Sequence, residues 1–169
     1  MANFDTIIPM ILAAEGGATI TDDPSDPGGL TKYGISQRSY PNEDIRALTE
    51  VKARIIYRRD YWGHISGDSL PDEIAYMVMD MAVNMGVQSA CEELQRAING
   101  LLRGNIINVD GKIGPQSLQA LIALEPKRVK LWLLRARLER YARIVQAKPT
   151  SAKYLVGWIR RSFDVAGIV

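Results

Sequence analysis

Cysteine and histidine are almost absent from this sequence of 169 residues, which has one of each, Cys91 and His64. A single cysteine cannot form a disulfide within the chain, so we expect folding in a reducing compartment. A zinc site built from several histidines and cysteines is excluded because the ligands are missing. Cys91 falls on the apolar stripe of a predicted helix, which favours a buried, inert thiol over a nucleophilic Cys–His pair.

Long hydrophobic runs are also missing. The N-terminal apolar run IIPMILAA is interrupted by Pro9, and no basic segment precedes it. It is too short for a membrane span and lacks the flanks of a secretory signal. We therefore expect neither a signal peptide nor a transmembrane segment, so that another route must carry the protein to any target outside the cytoplasm.

Acidic residues are scarce in the last part of the chain, so the charge is unevenly distributed. Residues 1–126 hold 10 basic and 17 acidic side chains, whereas residues 127–169 hold 11 basic and 2 acidic ones. One interpretation of the basic segment is a well-solvated helix face. The other is a surface for an anionic partner such as a wall polymer, outer-leaflet lipid or nucleic acid.

What is present is helical periodicity, which predicts a mostly α protein with at most a small β hairpin after the first helix. The length fits one domain. A first helix is predicted over residues 3–15, ended by Gly16 and Gly17. The loop-rich stretch 18–42 leaves room for the hairpin.

Caps and apolar stripes predict further helices. Thr49 is expected to cap one, and Ser89 with Glu92 forms a capping-box pattern for another. Pro115 is expected to open a third, and a short helix is predicted near 154–163. The apolar stripes are predicted as follows: Val51, Ile55 and Trp62 after Thr49, and Leu131, Leu134, Leu138, Tyr141 and Val145 in a long basic helix.

The segment from Pro71 to Met85 is apolar nearly all round, so it is predicted to be a helix in the centre of the protein. Its polar exceptions, Asp80 and Asn84, are four residues apart and share one face. A buried helix with a polar face needs partners for it. Either an internal polar network or the floor of a wet cleft would supply them.

The lone carboxyl at the end of the first helix is the main candidate for chemistry. Glu15 sits at the negative end of the helix dipole among apolar neighbours, and both effects favour a protonated carboxyl, as a general acid requires. The loop after it supplies Asp22, Asp23 and Asp26, one of which could orient or deprotonate a water that Thr31 also holds. Two carboxyls in such roles are the basis of glycoside hydrolysis. An ordinary helix end followed by a turn-rich loop is the alternative.

The stretch EGGATITDDPSDPGGLTKYGIS resembles the signature of the glycoside hydrolase family 108 muramidases, approximately E-G-G-x-x-x-D-P-x-D-x-G-G-x-T-x-x-G-I, within the lysozyme-like group. LTEVKARIIYRRDYW is similar to the family's helix ending in Tyr-Trp, and MDMAVNMG to its central buried helix. VDGKIGPQSLQAL resembles the associated peptidoglycan-binding segment. The four motifs occur in order between residue 8 and about residue 124. The basic segment after 126 adds little to the resemblance.

The resemblance implies site residues. Glu15 matches the family's catalytic glutamate, and Asp26 and Thr31 match the aspartate and threonine of a Glu-Asp-Thr set in related phage-type lysozymes. Two additional residues between EGG and DP make Asp23 an alternative to Asp26, and Ala18 stands where an aromatic residue is usual. The candidates for a substrate groove are Asp23, Tyr33, Tyr61, Trp62, Asp80 and Asn84.

The resemblance also implies a function. A lysozyme-like domain over 1–169 would have a catalytic part (1–90), a peptidoglycan-binding-like part (91–126) and basic C-terminal helices (127–169). It would cleave the β-1,4 bond between N-acetylmuramic acid and N-acetylglucosamine, with inversion by analogy and without a cofactor or metal.

Partners and location follow from that function. The expected partner is the peptidoglycan glycan strand, with contact between the basic helix and an anionic envelope as an addition; nucleic acid is not expected, and a monomer is. A phage endolysin would be held in the host cytoplasm and act in the periplasm or wall, and a bacterial muramidase for toxin or protein release is the alternative. Two other hypotheses stay open: a non-catalytic wall-binding module, and membrane disruption by the basic helix alone.

Overall fold

The computed structural model describes residues 1–22 and 28–167. Within them the chain forms seven α-helices and one two-stranded antiparallel sheet, which confirms the predicted mostly α class. The helices are α1 (Phe4–Ala14), α2 (Glu50–Tyr57), α3 (Asp72–Met85), α4 (Val87–Leu102), α5 (Pro115–Ile122), α6 (Pro126–Ala147) and α7 (Ala152–Ala166). The strands are β1 (Thr31–Lys32) and β2 (Ile35–Ser36), a π-helical turn covers Arg58–Trp62, and 3-10 turns cover Gly67–Ser69 and Pro149–Ser151.

Two compact units divide the chain: Asn3–Gly63 in one, and Met1–Ala2 with the residues from His64 onward in the other. In the first unit, the side chain of Asn3 caps α1 by accepting from the backbone N–H of Asp5, and one face of α1 is buried. The helix ends where the sequence predicts, because Gly16 and Gly17 both have positive φ values, +87° and +56°.

The predicted hairpin is confirmed. Lys32 pairs with Ile35, so the loop has two residues, Tyr33 and Gly34, and both have positive φ (54° and 72°). Such a turn matches the right-handed twist of the strands that it joins. Thr21 forms an isolated bridge with Thr31, which extends the hairpin toward the end of α1.

The stripe predicted after Thr49 is partly wrong: Trp62 is buried, but the two positions within α2 are not. Thr49 does cap the helix, its side chain accepting from the backbone N–H of Lys52. Val51 and Ile55, however, are 69% and 60% exposed. The buried face consists instead of Ala53, Ile56 and Tyr57. A shift of one residue turns a helical face by 100°, so residues next to the predicted ones in sequence are buried in their place.

In the second unit α3 is the central helix, as predicted, with most of its side chains fully buried. Gly86, at φ +89°, is the single residue between α3 and α4. The capping box predicted at Ser89 and Glu92 is therefore wrong, since α4 already begins at Val87. The carboxylate of Glu92 instead accepts from Arg96 within the same helix.

The stripe predicted for α6 is partly wrong. Tyr141 is buried as expected, but Leu131 is 55% exposed. The buried face repeats every four residues through Val129, Leu133, Arg137 and Tyr141, as the 3.6-residue period allows. Arg137 was not predicted to be buried, because a pattern of apolar and polar residues assigns every arginine to the surface. α7 is also longer than the predicted 154–163.

Cys91 is fully buried on α4, as the sequence predicts, and burial raises the pKa of its thiol to about 11. None of the helices in the described part of the chain combines the length and apolar character that a membrane-spanning segment needs.

Candidate active site

Glu15 is the first residue after α1 and is half-buried. Its backbone N–H donates to the carbonyl of Ile11 at 3.0 Å, so the helix fixes its backbone. The carbonyl of Gly17 accepts from the backbone N–H of Tyr33 at 2.9 Å. This bond brings the hairpin turn to the end of α1, next to Glu15.

The turn packs directly on the Glu15 side chain at Gly34. A Cβ atom at Gly34 would stand 2.8 Å from Cβ and Oε2 of Glu15 and 2.8 Å from the Tyr57 hydroxyl. These separations are shorter than any van der Waals contact, so only glycine allows this approach. Its φ of +72° also favours glycine.

Two tyrosines lie near Glu15: Tyr57 at the end of α2 and Tyr61 in the π-helical turn that follows. Tyr57 is 1% exposed, and its hydroxyl donates to the carbonyl of Tyr33 at 2.9 Å. The Tyr61 ring lies beside it, with ring centroids 5.4 Å apart. Burial raises the pKa of Tyr61, and the nearby carboxylates of Asp60 and Glu15 raise it further. Tyr61 therefore belongs to the surroundings of Glu15.

A second group of polar residues, Tyr40, Arg59 and Asp60, lies near Tyr61. The Tyr40 hydroxyl donates to Oδ2 of Asp60 at 2.8 Å, and Arg59 donates to both oxygens of Asp60, at 2.5 and 2.7 Å. Tyr40 partly offsets the raised pKa of Tyr61. Burial and the bond to Asp60 raise the pKa of Tyr40 well above its usual value. The carboxylate of Asp60 is therefore paired with Arg59.

Sequence reasoning identified Tyr61 but missed Tyr40, Tyr57 and Asp60. The spacing of Tyr57 and Tyr61, four residues apart at a helix end, was the available signal. Nothing local in the sequence connects Tyr40 with Asp60.

The other predicted catalytic residues are placed as follows. Thr31 is half-buried on β1, and its hydroxyl donates to the carbonyl of Gly29 at 2.9 Å. Asp23 and Asp26, the two candidates for the second carboxylate, lie outside the described residues. Asp22 is exposed and pairs with Arg46 at 2.9 Å.

Tyr33 and Trp62 differ as groove candidates. Tyr33 is half-buried, and the ammonium of Lys32 lies 5.7 Å from its ring centroid. Trp62 is 1% exposed and packs edge-on against Phe4, with centroids 5.5 Å apart. A ring without exposed surface cannot stack on a sugar, so Trp62 is a core residue and we remove it from the groove.

Comparisons with known proteins indicate a family for each part of the chain. Residues 8–86 match the family described as Glycosyl hydrolase 108, and residues 89–163 match one described as Predicted Peptidoglycan domain. Residues 8–86 are therefore similar to glycosyl hydrolase family 108. The chain is also similar to the solved structure of Brucella abortus SagA, with 29% identity over 97% of this chain and 91% of that one and a TM-score of 0.79. No curated protein matches the sequence.

Together these matches support a peptidoglycan hydrolase of the glycoside hydrolase class. The peptidoglycan segment continues to residue 163, beyond the residue at about 124 where the resemblance read from the sequence ended. The basic helices α6 and α7 are therefore part of that segment.

The last two groove candidates lie on α3, in the glycosyl hydrolase 108 segment. Asp80 is fully buried. Its oxygens accept from Nη1 of Arg137 at 2.5 Å and from Nη2 and Nε of Arg161 at 2.6 and 3.0 Å. The sequence predicted that either an internal polar network or a wet cleft would satisfy this polar face. For Asp80 it is the internal network. It has no surface for a glycan, so we remove it from the groove.

Asn84, one turn later, is exposed. Its side-chain amide donates to the backbone carbonyl of Asp80 at 2.9 Å. Because its side chain is exposed, Asn84 stays a candidate.

Replacing Gly34 by alanine is expected to lower both stability and any activity that depends on Glu15. The new Cβ collides with Glu15 and Tyr57, and a left-handed alanine adds roughly 1–2 kcal/mol of strain. Gly29→Ala is the matched control, because its φ is +66° while its Cβ would meet no atom within 4 Å. Thermal unfolding and wall hydrolysis measure both effects. Equal hydrolysis by the two variants would contradict the packing argument.

Proposed function

We propose that the protein hydrolyses the β-1,4 bond between N-acetylmuramic acid and N-acetylglucosamine in peptidoglycan, with Glu15 as the general acid. The observation that carries the proposal is the fixed position of Glu15 at the end of α1, against the Gly34 turn and within the family 108 segment. Glu15 would protonate the glycosidic oxygen as the bond to the leaving sugar breaks.

The second carboxylate is proposed to be Asp26 or, given the insertion, Asp23. It would orient the attacking water or stabilise the positive charge that develops on the sugar, helped by the hydroxyl of Thr31. Tyr33 and Tyr61 offer flat apolar faces with polar tips, as sugar rings require. Asn84 is the remaining groove candidate.

The peptidoglycan segment is proposed to hold the glycan strand. In α6 and α7, Lys130, Arg135, Arg137 and Arg161 pair with carboxylates of this chain. Val129, Leu133 and Tyr141 are buried, so α6 packs within the protein, which disfavours membrane disruption by this helix alone. The remaining basic residues are available for an anionic envelope. We propose a monomer that acts in the cell wall, either as a phage endolysin or in bacterial protein release.

Product analysis of digested wall tests the proposal. Purified sacculi are incubated with the protein, and the soluble fragments are reduced with borohydride and analysed by chromatography and mass spectrometry. We expect fragments that end in reduced N-acetylmuramic acid. Fragments that end in reduced N-acetylglucosamine would assign the other glycosidic bond, and new amino groups without new reducing ends would reject a glycosidase.

A further inference from the structure

The Tyr33–Gly34 turn is tied to two helices at once. Its Tyr33 N–H donates to the carbonyl of Gly17, just after α1, and its Tyr33 carbonyl accepts from the hydroxyl of Tyr57, the last residue of α2. Both bonds are 2.9 Å. The turn therefore bridges the end of α1, which carries Glu15, and the end of α2.

The turn also contains a conformation that its sequence disfavours. Tyr33 has a φ of +54°, a region that costs a residue with a Cβ of order 1–2 kcal/mol and that asparagine, aspartate and glycine occupy more readily in such turns. Strain of this kind persists only where surrounding contacts hold it. The bond from Tyr57 is one of those contacts.

Tyr57 is itself well anchored. It is 1% exposed, and the neighbouring Tyr61 ring lies against it at 5.4 Å. Directly after Tyr57 the helix widens into the π-helical turn Arg58–Trp62 that carries Tyr61. Single π-helical turns of this kind are frequent at functional sites. The buried ring leaves the Tyr57 hydroxyl little freedom, so the turn that it holds has little freedom as well.

We infer that Tyr57 is a positioning residue, which fixes the Tyr33–Gly34 turn against Glu15 and thereby sets the direction of the Glu15 carboxyl. The inference rests on the catalytic role proposed for Glu15. Oε2 of Glu15 and the Tyr57 hydroxyl meet at the same face of Gly34, so a shift of the turn removes the surface that confines the carboxyl. In this role Tyr57 acts through the turn and not on the substrate.

The test is Tyr57→Phe, assayed on soluble glycan fragments of peptidoglycan so that kcat and KM are measured separately. We expect kcat to fall about 10- to 100-fold, the size of effect that misplacement of a reacting group produces, with KM unchanged within about twofold. Tyr141→Phe is the matched control. It also removes a buried hydroxyl, the partner of Arg137 at 2.7 Å, but in the other unit. It should lower stability to a similar extent and leave kcat unchanged.

A second variant tests the mechanism. Asparagine adopts positive φ more readily than tyrosine, so Tyr33→Asn should let the turn hold its shape without Tyr57. Because Tyr33 is itself a groove candidate, the double variant is compared with Tyr33→Asn alone: Tyr57→Phe should lower kcat much less in that background than it does in the wild type. A purely structural role of Tyr57 predicts no such rescue. Amide resonances of residues 33 and 34 provide a readout without activity. They should shift when Tyr57→Phe is made in the wild type, and should stay nearly unchanged when Tyr57→Phe is added to Tyr33→Asn.

The outcomes separate the two proposals. If the wild-type protein releases no reducing ends, the proposed function fails, while the amide resonances still decide whether Tyr57 holds the turn. If the wild type is active and Tyr57→Phe keeps its kcat, the positioning role is overturned. A raised KM at constant kcat would overturn it too, because it would assign Tyr57 to substrate binding.

Discussion

Glu15→Gln is expected to lose essentially all hydrolysis of peptidoglycan, by about 10²- to 10⁴-fold, the contribution that a positioned general acid makes. Glutamine has nearly the same shape as glutamate, so it should keep the packing against Gly34 and the backbone bond to Ile11. It cannot deliver a proton to the glycosidic oxygen. The loss should therefore come without a loss of fold.

Turbidity clearing of outer-membrane-stripped Gram-negative cells, with reducing ends measured in parallel, gives the rates, and circular dichroism compares the folds. Glu50→Gln is the control, because Glu50 is exposed at the start of α2 and its contact with Arg54 is 3.5 Å long. Clearing by Glu15→Gln at the wild-type rate would move the catalytic acid elsewhere. The same assay on Asp26→Asn and Asp23→Asn identifies the second carboxylate as the position with the larger loss.

Asp80→Ala is expected to destabilise the protein by about 3–5 kcal/mol, the typical cost of removing one partner from a buried ion pair. Arg137 would remain with no exposed surface and, among the described residues, no counter-charge. Arg161, 22% of whose side chain is exposed, would lose the carboxylate of Asp80. Nη2 of Arg137 already finds no hydrogen-bond partner among the described residues, so little is available to replace Asp80. Natural domains are stable by roughly 5–15 kcal/mol, so the loss is a large share.

Urea unfolding followed by circular dichroism measures this change. Glu73→Ala provides the control, since Glu73 also lies on α3 and also pairs with α6, through Lys130 at 3.1 Å, but is 56% exposed. Exposed pairs contribute less than about 1 kcal/mol. A similar urea midpoint for the two variants would show that the buried cluster does not stabilise the fold.

The parts of the fold that the sequence predicts correctly are those set by local chemistry. Glycines after α1, Thr49 before α2, and proline at the start of α5 act on the backbone within a few residues, so their effect is visible without the rest of the chain. The central position of α3 was predictable because it is apolar all round.

The errors come from contacts between distant residues. Arg137 is buried because Asp80, 57 residues earlier, neutralises it, and no pattern within α6 shows this. Val51 and Ile55 are exposed, and the buried face of α2 instead includes Tyr57, whose hydroxyl has a partner in the hairpin. In the candidate site, Glu15 and Tyr61 were predicted from their types and positions. Gly34 and Tyr57 were not, since their roles depend on where the hairpin turn lies.

The Asp80 cluster also limits how this chain can be recombined. Asp80 belongs to the segment that matches glycosyl hydrolase 108, and Arg137 and Arg161 to the segment that matches the peptidoglycan domain. A chimera joined between residues 86 and 89 would take the buried carboxylate from one parent and the residues that pair with it from the other. An incoming segment with apolar side chains at 137 and 161 would leave a lone carboxylate in the core. The two family segments are therefore not interchangeable modules, and exchange between relatives requires that the acid and its arginines move together.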